Sequence, residues 1–296
     1  MKKKYESRIF LFPKLPSVAE LGILRFRGSG LSNCLFVATR AHLIAKNNNW
    51  KLINPTWLNF SLGPYLRKEK DKRHYSGLFT KTGISGLYKI FLLVFGKRIT
   101  VEKAISGQSG IIEISGLNNY YEDIISEQNE VKRFIYSIIK KKHTEIIDNT
   151  EFNDIIGIHI RLGDYNSSLR TDKNWYINII KLIYQTEFGK YKFYIFSDGL
   201  DEELSEILKL PNVERVFFGN ALSDILALSK CKLIVGSDST FSAWAAFLEQ
   251  TPIIFPKRHF GKVLKNENYE FVENGDNTML STFLRTVLST SQKNQN

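Results

Sequence analysis

The sequence predicts an α/β protein with two domains, the second built around a parallel β-sheet. Its 296 residues, 43% of them hydrophobic, exceed what a single hydrophobic core usually serves, so two cores are expected. In the second half, short apolar runs alternate with segments of helical periodicity, which is the pattern of repeated strand–helix units. The first half opens in the same order and then loses it. The expected domains are residues 1–150 and 151–296, and the second is Rossmann-like.

The second half supplies the clearest elements. Its short apolar runs predict strands at Ile155–Ile160, Phe193–Phe196, Val213–Phe218, Leu233–Val235 and Pro252–Phe255. The segments between them predict helices at Trp175–Tyr184, Glu202–Leu208, Leu222–Leu228 and Phe241–Leu248.

The first half is less regular. Its readable elements are a strand at Gly22–Phe26, a helix at Leu31–Lys46, a strand at Lys51–Asn54, an apolar run at Ile111–Ile114 and an amphipathic stretch at Val131–Lys142. Residues 57–110 are basic, aromatic and irregular. The polar stretch His143–Asn153 places the boundary near residue 150, and the polar tail Ser289–Asn296 is expected to fray.

Composition favours a cytoplasmic protein. The two cysteines, Cys34 and Cys231, lie far apart in apolar segments and form neither a disulfide framework nor a zinc pattern. The apolar run Ile9–Phe12 is too short for the core of a signal peptide. The longest apolar run, Ile90–Phe95, is far below the ~20 residues that cross a bilayer.

Positive charge is concentrated in the first half. Residues 1–150 contain 25 Lys and Arg against 12 Asp and Glu, a balance of +13, whereas the remainder contains 16 against 18, a balance of −2. This asymmetry indicates either a solvated basic surface or an anionic partner such as a membrane, an acidic glycan lipid or nucleic acid. No recognition motif for nucleic acid accompanies the charge, so no nucleic-acid partner is expected.

The first motif is Gly157–Tyr165, GIHIRLGDY, at the end of a predicted strand. Alternation places Ile158 and Ile160 on one face and His159 and Arg161 on the other. Arg161 then lies near the carboxyl end of the strand, where open parallel sheets bind ligands, and its fork of donors suits phosphate oxygens. The structural alternative is that Arg161 pairs with Asp164 and that His159 is a histidine of the sheet whose hydrogen bonds are satisfied within the protein.

The second motif is Leu233–Ser242, LIVGSDSTFS, a strand followed by hydroxyls and a helix. Hydroxyls such as Ser237, Ser239 and Thr240 cap helices, and together with the first-turn amides they also form anion sites. Phe241 and Trp244 continue at helical spacing, so these aromatic residues are expected in the core.

The third motif is Arg27–Asn33, RGSGLSN, a flexible turn in which Gly28 and Gly30 would allow close approach to a pyrophosphate. It lacks the third glycine of the dinucleotide fingerprint. Asp198 and Asp224 follow strands at carboxyl-end loops, where helix capping is the alternative role for each. No Asp-x-Asp occurs and no histidines have zinc spacing, so no metal and no cofactor are expected.

These blocks resemble the alpha-1,2-fucosyltransferases of glycosyltransferase family 11 and, more distantly, the wider fucosyltransferase superfamily. Gly30–Phe36 is similar to the family's Gly-Leu-Gly-Asn-Gln-Leu-Phe opening, His159–Tyr165 to its His-x-Arg-Arg-Gly-Asp-Tyr block, and Ser237–Leu248 to its Asn-Ser-Ser/Thr-Phe-Ser-Trp-Trp block. The resemblance spans roughly Gly22–Phe255 and is patchy between Trp57 and Gly110. It implies a GT-B-like fold, with two Rossmann-like domains that face a cleft.

The resemblance also implies an activity, an inverting and metal-independent transfer of fucose from GDP-fucose to a glycan hydroxyl. By carry-over, Arg161 holds the diphosphate. Asp164 is the candidate for the base that takes the acceptor's proton, with pairing to Arg161 as its alternative role. The other expected donor-binding residues are Gly28, Gly30, Asn33, His159, Asp198, Asp224, Ser237, Ser239, Thr240 and Phe241. Among these, Asp224 and His159 would contact the nucleoside, since a carboxylate can accept both guanine edge hydrogens.

The expected acceptor is a galactose-terminated glycan in surface polysaccharide or lipopolysaccharide synthesis. The enzyme would contact the anionic cytoplasmic membrane face peripherally through segments such as Arg67–Arg73. Departures from the family pattern include Leu162 for the second arginine, Ser32 and Cys34 in the opening, Asp238 for Asn and Ala243 for Trp. Transfer of another nucleotide-linked deoxysugar, or non-catalytic binding of a sugar nucleotide or nucleic acid, are the alternatives.

Overall fold

A computed structural model describes residues 8–163 and 170–293 of the chain. The strands are β1 (Ile9–Pro13), β2 (Ala19–Glu20), β3 (Arg25–Phe26), β4 (Lys51–Leu52), β5 (Asn59–Phe60), β6 (Gly110–Ile114), β7 (Ile155–Ile160), β8 (Lys192–Ser197), β9 (Val213–Arg215), β10 (Leu233–Val235), β11 (Ile253–Phe255) and β12 (Glu270–Val272). The helices are α1 (Leu31–Asn48), α2 (Gly63–Leu66), α3 (Gly86–Phe95), α4 (Val101–Ile105), α5 (Gln128–Ile138), α6 (Lys142–Asp148), α7 (Lys173–Tyr184), α8 (Asp201–Leu208), α9 (Ala221–Ser229), α10 (Thr240–Glu249) and α11 (Asn277–Lys293).

The chain forms two compact units. Met1–Leu62 and Arg73–Lys140 make the first unit, and Gly63–Lys72 and Lys141–Asn296 make the second. The division between Lys140 and Lys141 comes just before α6, since α6 packs on α9 and the His143 ring lies 3.1 Å from the Asn220 amide nitrogen. A domain boundary near residue 150 stays a prediction. A short segment from the irregular part of the first half also groups with the second unit.

The first unit is centred on β1, in a parallel sheet of order β4-β1-β6. All five residues of β1 are buried, as expected for a strand that is covered on both faces. Ile9 and Leu11 contribute to a core with Ala45 of α1, and Phe10 and Phe12 to a core with Leu92 of α3.

The predicted first strand, Gly22–Phe26, differs from the structure. Only Arg25–Phe26 is extended, as β3 in a separate small sheet of order β2-β3-β5. Gly22 has a φ of +79° in the turn between β2 and β3, closed by a 2.9 Å bond from the Leu21 amide to the Leu24 carbonyl. Ile9–Phe12, too short for a signal peptide, is instead the interior of the central strand.

The second unit contains a six-stranded sheet of order β12-β11-β10-β7-β8-β9 with every pair parallel. From β7 the chain proceeds to β8 and β9 on one side, then returns to β10, β11 and β12 on the other. The order therefore reverses between β7 and β10, and the carboxyl ends at such a reversal form a binding crevice in open α/β sheets.

One face of β7 lies in the main hydrophobic core and the other faces α9. Ile158 and Ile160 are buried in the core, together with residues of α7, α8 and α11. On the opposite face, a Cβ at Gly157 would come within 2.4 Å of the Leu228 Cδ1 atom, so only glycine permits this close packing. In the described ranges, no helix has the length and apolar character required to cross a membrane.

Candidate functional site

Arg161 lies at the carboxyl end of β7, beside Asp198. The pairing of β7 with β8 sets Ile160 opposite Ser197, so the next residues of the two strands, Arg161 and Asp198, come side by side. The Arg161 guanidinium forms an ion pair with the Asp198 carboxylate. Sequence analysis offered Asp164 as the structural partner of Arg161. Asp164 lies outside the described residues, and Asp198 is the partner that the structure shows.

The Asp198 carboxylate also binds the loop that follows β7. Its Oδ1 atom accepts hydrogen bonds from the Leu162 amide at 2.8 Å and from the Gly163 amide at 3.0 Å. A Cβ at Gly163 would lie 2.5 Å from Asp198 Oδ2, so glycine permits this approach. Asp198 thus fixes both the guanidinium and the adjacent backbone.

Asp198 is ionised in this environment. Burial raises its pKa, but the Arg161 charge and the amides of Gly163 and Leu162 outweigh that effect and hold the pKa below its usual range. A permanently charged carboxylate keeps the Arg161 side chain oriented at the edge of the sheet.

His159, Ser237 and Phe241 meet where β7 and β10 lie side by side. The His159 Nδ1 atom is 2.9 Å from Ser237 Oγ, and its ring stacks on Phe241 with ring centroids 4.5 Å apart. Burial lowers the pKa of His159 far below its usual range, because the opposing charge of Asp198 is too weak to offset burial and the Arg161 charge lowers the pKa further. His159 is therefore neutral, and its ring is buried between Ser237 and Phe241.

The N-terminus of α10 opens at the same edge of the sheet. Ser239 caps this helix, because its Oγ accepts a hydrogen bond from the Phe241 amide at 3.2 Å. Ser242 is buried and donates to backbone carbonyls of the preceding turn. Ser239 therefore has the capping role that the sequence offered as an alternative to anion binding. Thr240 is the first residue of α10, and the backbone amides of the first turn follow from it. Such amides and the helix dipole favour an anion.

Asp224 lies one turn inside α9, and Asn220 is the residue that caps the helix. The Asp224 carboxylate accepts a 2.7 Å hydrogen bond from the Phe218 amide. Its pKa is raised to about 7, chiefly by burial and further by the negative charge of Asp71. Asp224 can therefore change its charge near neutral pH.

Segment Gly63–Lys72 contributes to this part of the second unit. Asp71 accepts a 2.7 Å hydrogen bond from the Ala221 amide at the start of α9, and the Lys70 ammonium lies 5.9 Å from the centre of the Phe217 ring. Glu69 is buried, and its Oε1 atom would lie 3.4 Å from a Cβ at Gly163. The sequence places these residues in Arg67–Arg73, a segment expected at a membrane, and no local signal marks them for this part of the second unit because periodicity is lost there.

The structure explains why leucine occupies position 162. Leu162 is buried in the core of the second unit, so its side chain lies away from polar ligands. Arg170, which sequence analysis also did not select, donates to the Gly163 carbonyl at 3.4 Å and pairs with Glu203. A second guanidinium therefore lies next to the loop after β7.

Asp238, which departs from the family's asparagine, pairs with a histidine that sequence analysis did not select. Its Oδ1 atom lies 2.6 Å from Nδ1 of His259. The described residues contain no group of three or more His, Cys, Asp or Glu side chains arranged to hold a metal ion.

The predicted donor-binding residues of the third motif lie in the first unit. The Gly28 amide donates to Asn59 Oδ1 at 2.9 Å, and a Cβ there would meet Arg25 Nη1 at 2.5 Å. Gly30 precedes α1 with open space where a Cβ would project, and Asn33 follows in the first turn. Donor binding by Gly28, Gly30 and Asn33 stays a prediction.

Comparison with known proteins supports the predicted family. The glycosyl transferase family 11 model matches residues 110–257, which include the His159–Gly163 and Ser237–Leu248 blocks. No curated protein sequence is significantly similar to this chain.

Solved structures share the fold at low identity. NodZ alpha-1,6-fucosyltransferase co-crystallised with GDP is 16% identical, with a TM-score of 0.53 over 83% of this chain and 94% of that chain. The same enzyme soaked with GDP-fucose is 16% identical, with a TM-score of 0.51 over the same shares, and NodZ is from Bradyrhizobium. A mutant of Arabidopsis thaliana FUT1 in complex with GDP is 12% identical, with a TM-score of 0.54 over 90% of this chain and 74% of that chain.

These likenesses confirm the predicted α/β class and GT-B-like fold. The family match spans half of the chain and contains two of the three blocks on which the resemblance depends. The chain therefore belongs to glycosyltransferase family 11.

Proposed function

We propose that this protein transfers fucose from GDP-fucose to a hydroxyl group of a glycan. The observation that carries the proposal is the position of Arg161, held by Asp198 at the carboxyl end of β7 in a chain of family 11. The similar structures named above were obtained with GDP or GDP-fucose, which supports the same donor here.

The chemical role of Arg161 is to stabilise the leaving diphosphate. As the bond between sugar and diphosphate lengthens, negative charge accumulates on the phosphate oxygens. A guanidinium and the first-turn amides of α10 are donors suited to that charge, so no cation is required in this proposal. The ion pair with Asp198 orients the guanidinium before the donor binds.

Guanine selection is assigned to Asp224. The N1 and N2 hydrogens of guanine are paired donors, and an ionised carboxylate can accept both. Uracil presents no such pair of donors. The neutral His159 ring and its Phe241 neighbour would contribute nonpolar surface to the nucleoside site.

The assignments of mechanism, linkage and acceptor rest on the family resemblance, and the membrane location rests on the positive charge of residues 1–150. We assign an inverting reaction, an alpha-1,2 linkage to galactose, and an acceptor in surface polysaccharide or lipopolysaccharide synthesis at the cytoplasmic face of an anionic membrane. Asp164 is assigned as the base that takes the acceptor's proton. Segment Arg67–Arg73, first considered for membrane contact, is divided between the two units, and its residues up to Lys72 group with the second.

The test is nucleotide release from a panel of GDP-, UDP-, dTDP- and CMP-sugars, with and without EDTA, alone and with galactose-terminated acceptors. We expect GDP release from GDP-fucose that EDTA does not alter and that an acceptor accelerates. Release from a different donor only would replace the assigned sugar.

Two further outcomes would contradict the proposal as a whole. Binding of GDP-fucose without turnover, under any acceptor, would identify a non-catalytic sugar-nucleotide-binding relative. Absence of donor binding together with salt-sensitive binding to RNA or DNA would favour the nucleic-acid alternative.

A further inference from the structure

Helix α3 is apolar on its exposed face as well as on its buried face, which contains Leu92. Its one charged residue, Lys89, is buried, whereas Leu87, Phe91 and Phe95 are exposed by 89%, 57% and 74%. These three recur at positions i, i+4 and i+8, so they share one face. A helix of a soluble protein normally presents polar residues to water, and α3 presents large apolar ones.

The turn between β2 and β3 extends this apolar surface. Leu21 and Ile23 are 65% and 68% exposed on either side of Gly22. A Cβ at Gly22 would lie 3.1 Å from Ile90 Cδ1 and 3.2 Å from Leu93 Cδ1, so the turn packs directly on α3. The two segments therefore form one surface, here called the α3 patch, made of Leu21, Ile23, Leu87, Phe91, Val94 and Phe95.

A buried polar chain holds the α3 patch in this orientation. The Lys89 ammonium donates to Thr56 Oγ1 at 2.8 Å, and Thr56 Oγ1 donates to the Gly22 carbonyl at 3.0 Å. These bonds join the helix to the turn through its inward face. Rotation of α3 to expose Lys89 would break the bond to Thr56, so this bond favours the outward position of Phe91 and Phe95.

The charges near α3 favour an anionic partner. Lys81 precedes the helix, Lys97 and Arg98 follow it, and all three are exposed. The Arg98 guanidinium donates to the carbonyls of Leu93 and Gly96 at the carboxyl end of α3 and pairs with Glu113, which balances its charge. The exposed ammonium groups of Lys81 and Lys97, which flank α3 in sequence, complement a bilayer with anionic headgroups.

We propose that the α3 patch docks the protein on an anionic lipid bilayer. Phe91, Phe95 and Leu87 enter the boundary between headgroups and acyl chains, and Lys97 contacts the headgroups. The inference deepens the proposed function, since it places the enzyme where a lipid-held acceptor would lie, and it requires no donor for its test.

The experiment is co-sedimentation of the full chain with vesicles. Vesicles of phosphatidylcholine with phosphatidylglycerol are compared with vesicles of phosphatidylcholine alone. We expect tighter binding to the anionic vesicles, and a loss of at least about tenfold in affinity for the variant Phe91→Ser/Phe95→Ser. The matched variant Phe91→Leu/Phe95→Leu keeps apolar side chains and should retain most binding, and Met279→Ser, an exposed residue of α11, should bind like the parent.

Three results would overturn the docking surface. The first is that the parent binds neither kind of vesicle, and the second is that the serine and leucine variants bind equally well. The third is that sedimentation velocity shows a dimer for the parent and the leucine variant but a monomer for the serine variant. Thermal unfolding of each variant checks the fold, which should be unaffected because both phenylalanines are exposed. GDP release with a soluble acceptor is measured separately. If GDP-fucose is not the donor but vesicle binding still depends on Phe91 and Phe95, the surface stands and the proposed function fails.

Discussion

At the scale of single residues, the site depends on pairs that are far apart in sequence. Arg161 and Asp198 meet because β7 and β8 pair in parallel with Ile160 opposite Ser197. The sequence indicates that both residues follow strands, but the register that joins them belongs to the folded sheet. Asp164 is the nearer acid in sequence, and local spacing alone favoured it as the partner.

Replacement of Arg161 by Ala should remove most of the turnover. Loss of one donor that stabilises charge in the transition state typically lowers kcat by about 10²- to 10³-fold. Single-turnover kinetics with saturating GDP-fucose measure this effect apart from product release. Arg133→Ala, which removes an exposed arginine paired with Glu130 on α5, is the control and should retain parental kcat. Equal rates for Arg161→Ala and the parent would show that the guanidinium does not act on the diphosphate.

Asp224 predicts a pH dependence of GDP binding. Its pKa of about 7 in the free protein means that the carboxylate forms only as the pH passes neutrality. If guanine binds the ionised form as proposed, GDP affinity should rise between about pH 6 and pH 8, by up to ~tenfold per unit below the pKa. Asp224→Asn should bind GDP more weakly, by about 1.5–3 kcal/mol, and with a flat profile. Calorimetric titration with GDP across this pH range measures the affinity. A GDP affinity of the parent that does not change with pH would reject the contact between Asp224 and guanine.

The same shift has a defined sign for stability. A carboxyl whose pKa is higher in the folded state than in the unfolded chain stabilises the fold at low pH and loses that contribution as the pH rises to about 7. Asp224→Asn should therefore gain stability relative to the parent as the pH increases over this interval. Thermal unfolding at several pH values measures the difference.

At the scale of elements, apolar patterning predicted the strands of the second unit better than those of the first unit. Strands β7, β8, β10 and β11 stand out because they are continuous apolar runs bounded by polar turns. Helix α11 was missed, although Leu280, Leu284 and Leu288 recur at helical spacing, because its intervening Ser and Thr residues resemble a tail. In the first unit, β1 is as apolar as the strands of the six-stranded sheet of the second unit. The strand predicted at Gly22–Phe26 begins instead with a turn at Gly22.

Removal of the Ser239 cap of α10 should affect both the stability of the fold and the binding of the donor. Ser239→Ala should lower the free energy of unfolding by about 1 kcal/mol, because the Phe241 amide loses its acceptor. It should also raise the KM for GDP-fucose, since the first turn of α10 faces the diphosphate in the proposed site. Thr100→Ala removes the corresponding cap of α4 in the first unit and should affect stability alone. A KM that is equal in the two variants would exclude α10 from the donor site.

At the scale of the whole molecule, the electrostatics of Asp224 depend on a segment from the other half of the chain. Asp71 raises the pKa of Asp224, and Lys70 lowers it. No local pattern predicted this, because residues 63–72 read as an irregular basic loop, and their contacts with α9 exist only in the folded chain.

Opposite substitutions in this segment should shift the pH profile in opposite directions. Asp71→Asn removes a negative charge while an amide oxygen can still accept from Ala221, so the midpoint of GDP binding should move to lower pH. Lys70→Met should move the midpoint to higher pH. The measurement is the same calorimetric titration series, and midpoints that coincide with the parent in both variants would exclude the segment from the nucleoside site.

The path of the chain between the two units limits how family members can exchange parts. The backbone passes from one unit to the other at residues 62–63, 72–73 and 140–141. A chimera that grafts residues 141–296 of this chain onto a relative would leave behind its own Gly63–Lys72, and with it the acceptor for the Ala221 amide. Recombination at a single junction would thus separate two pieces that have to match, so donor preference should be inherited only when both pieces come from the same parent.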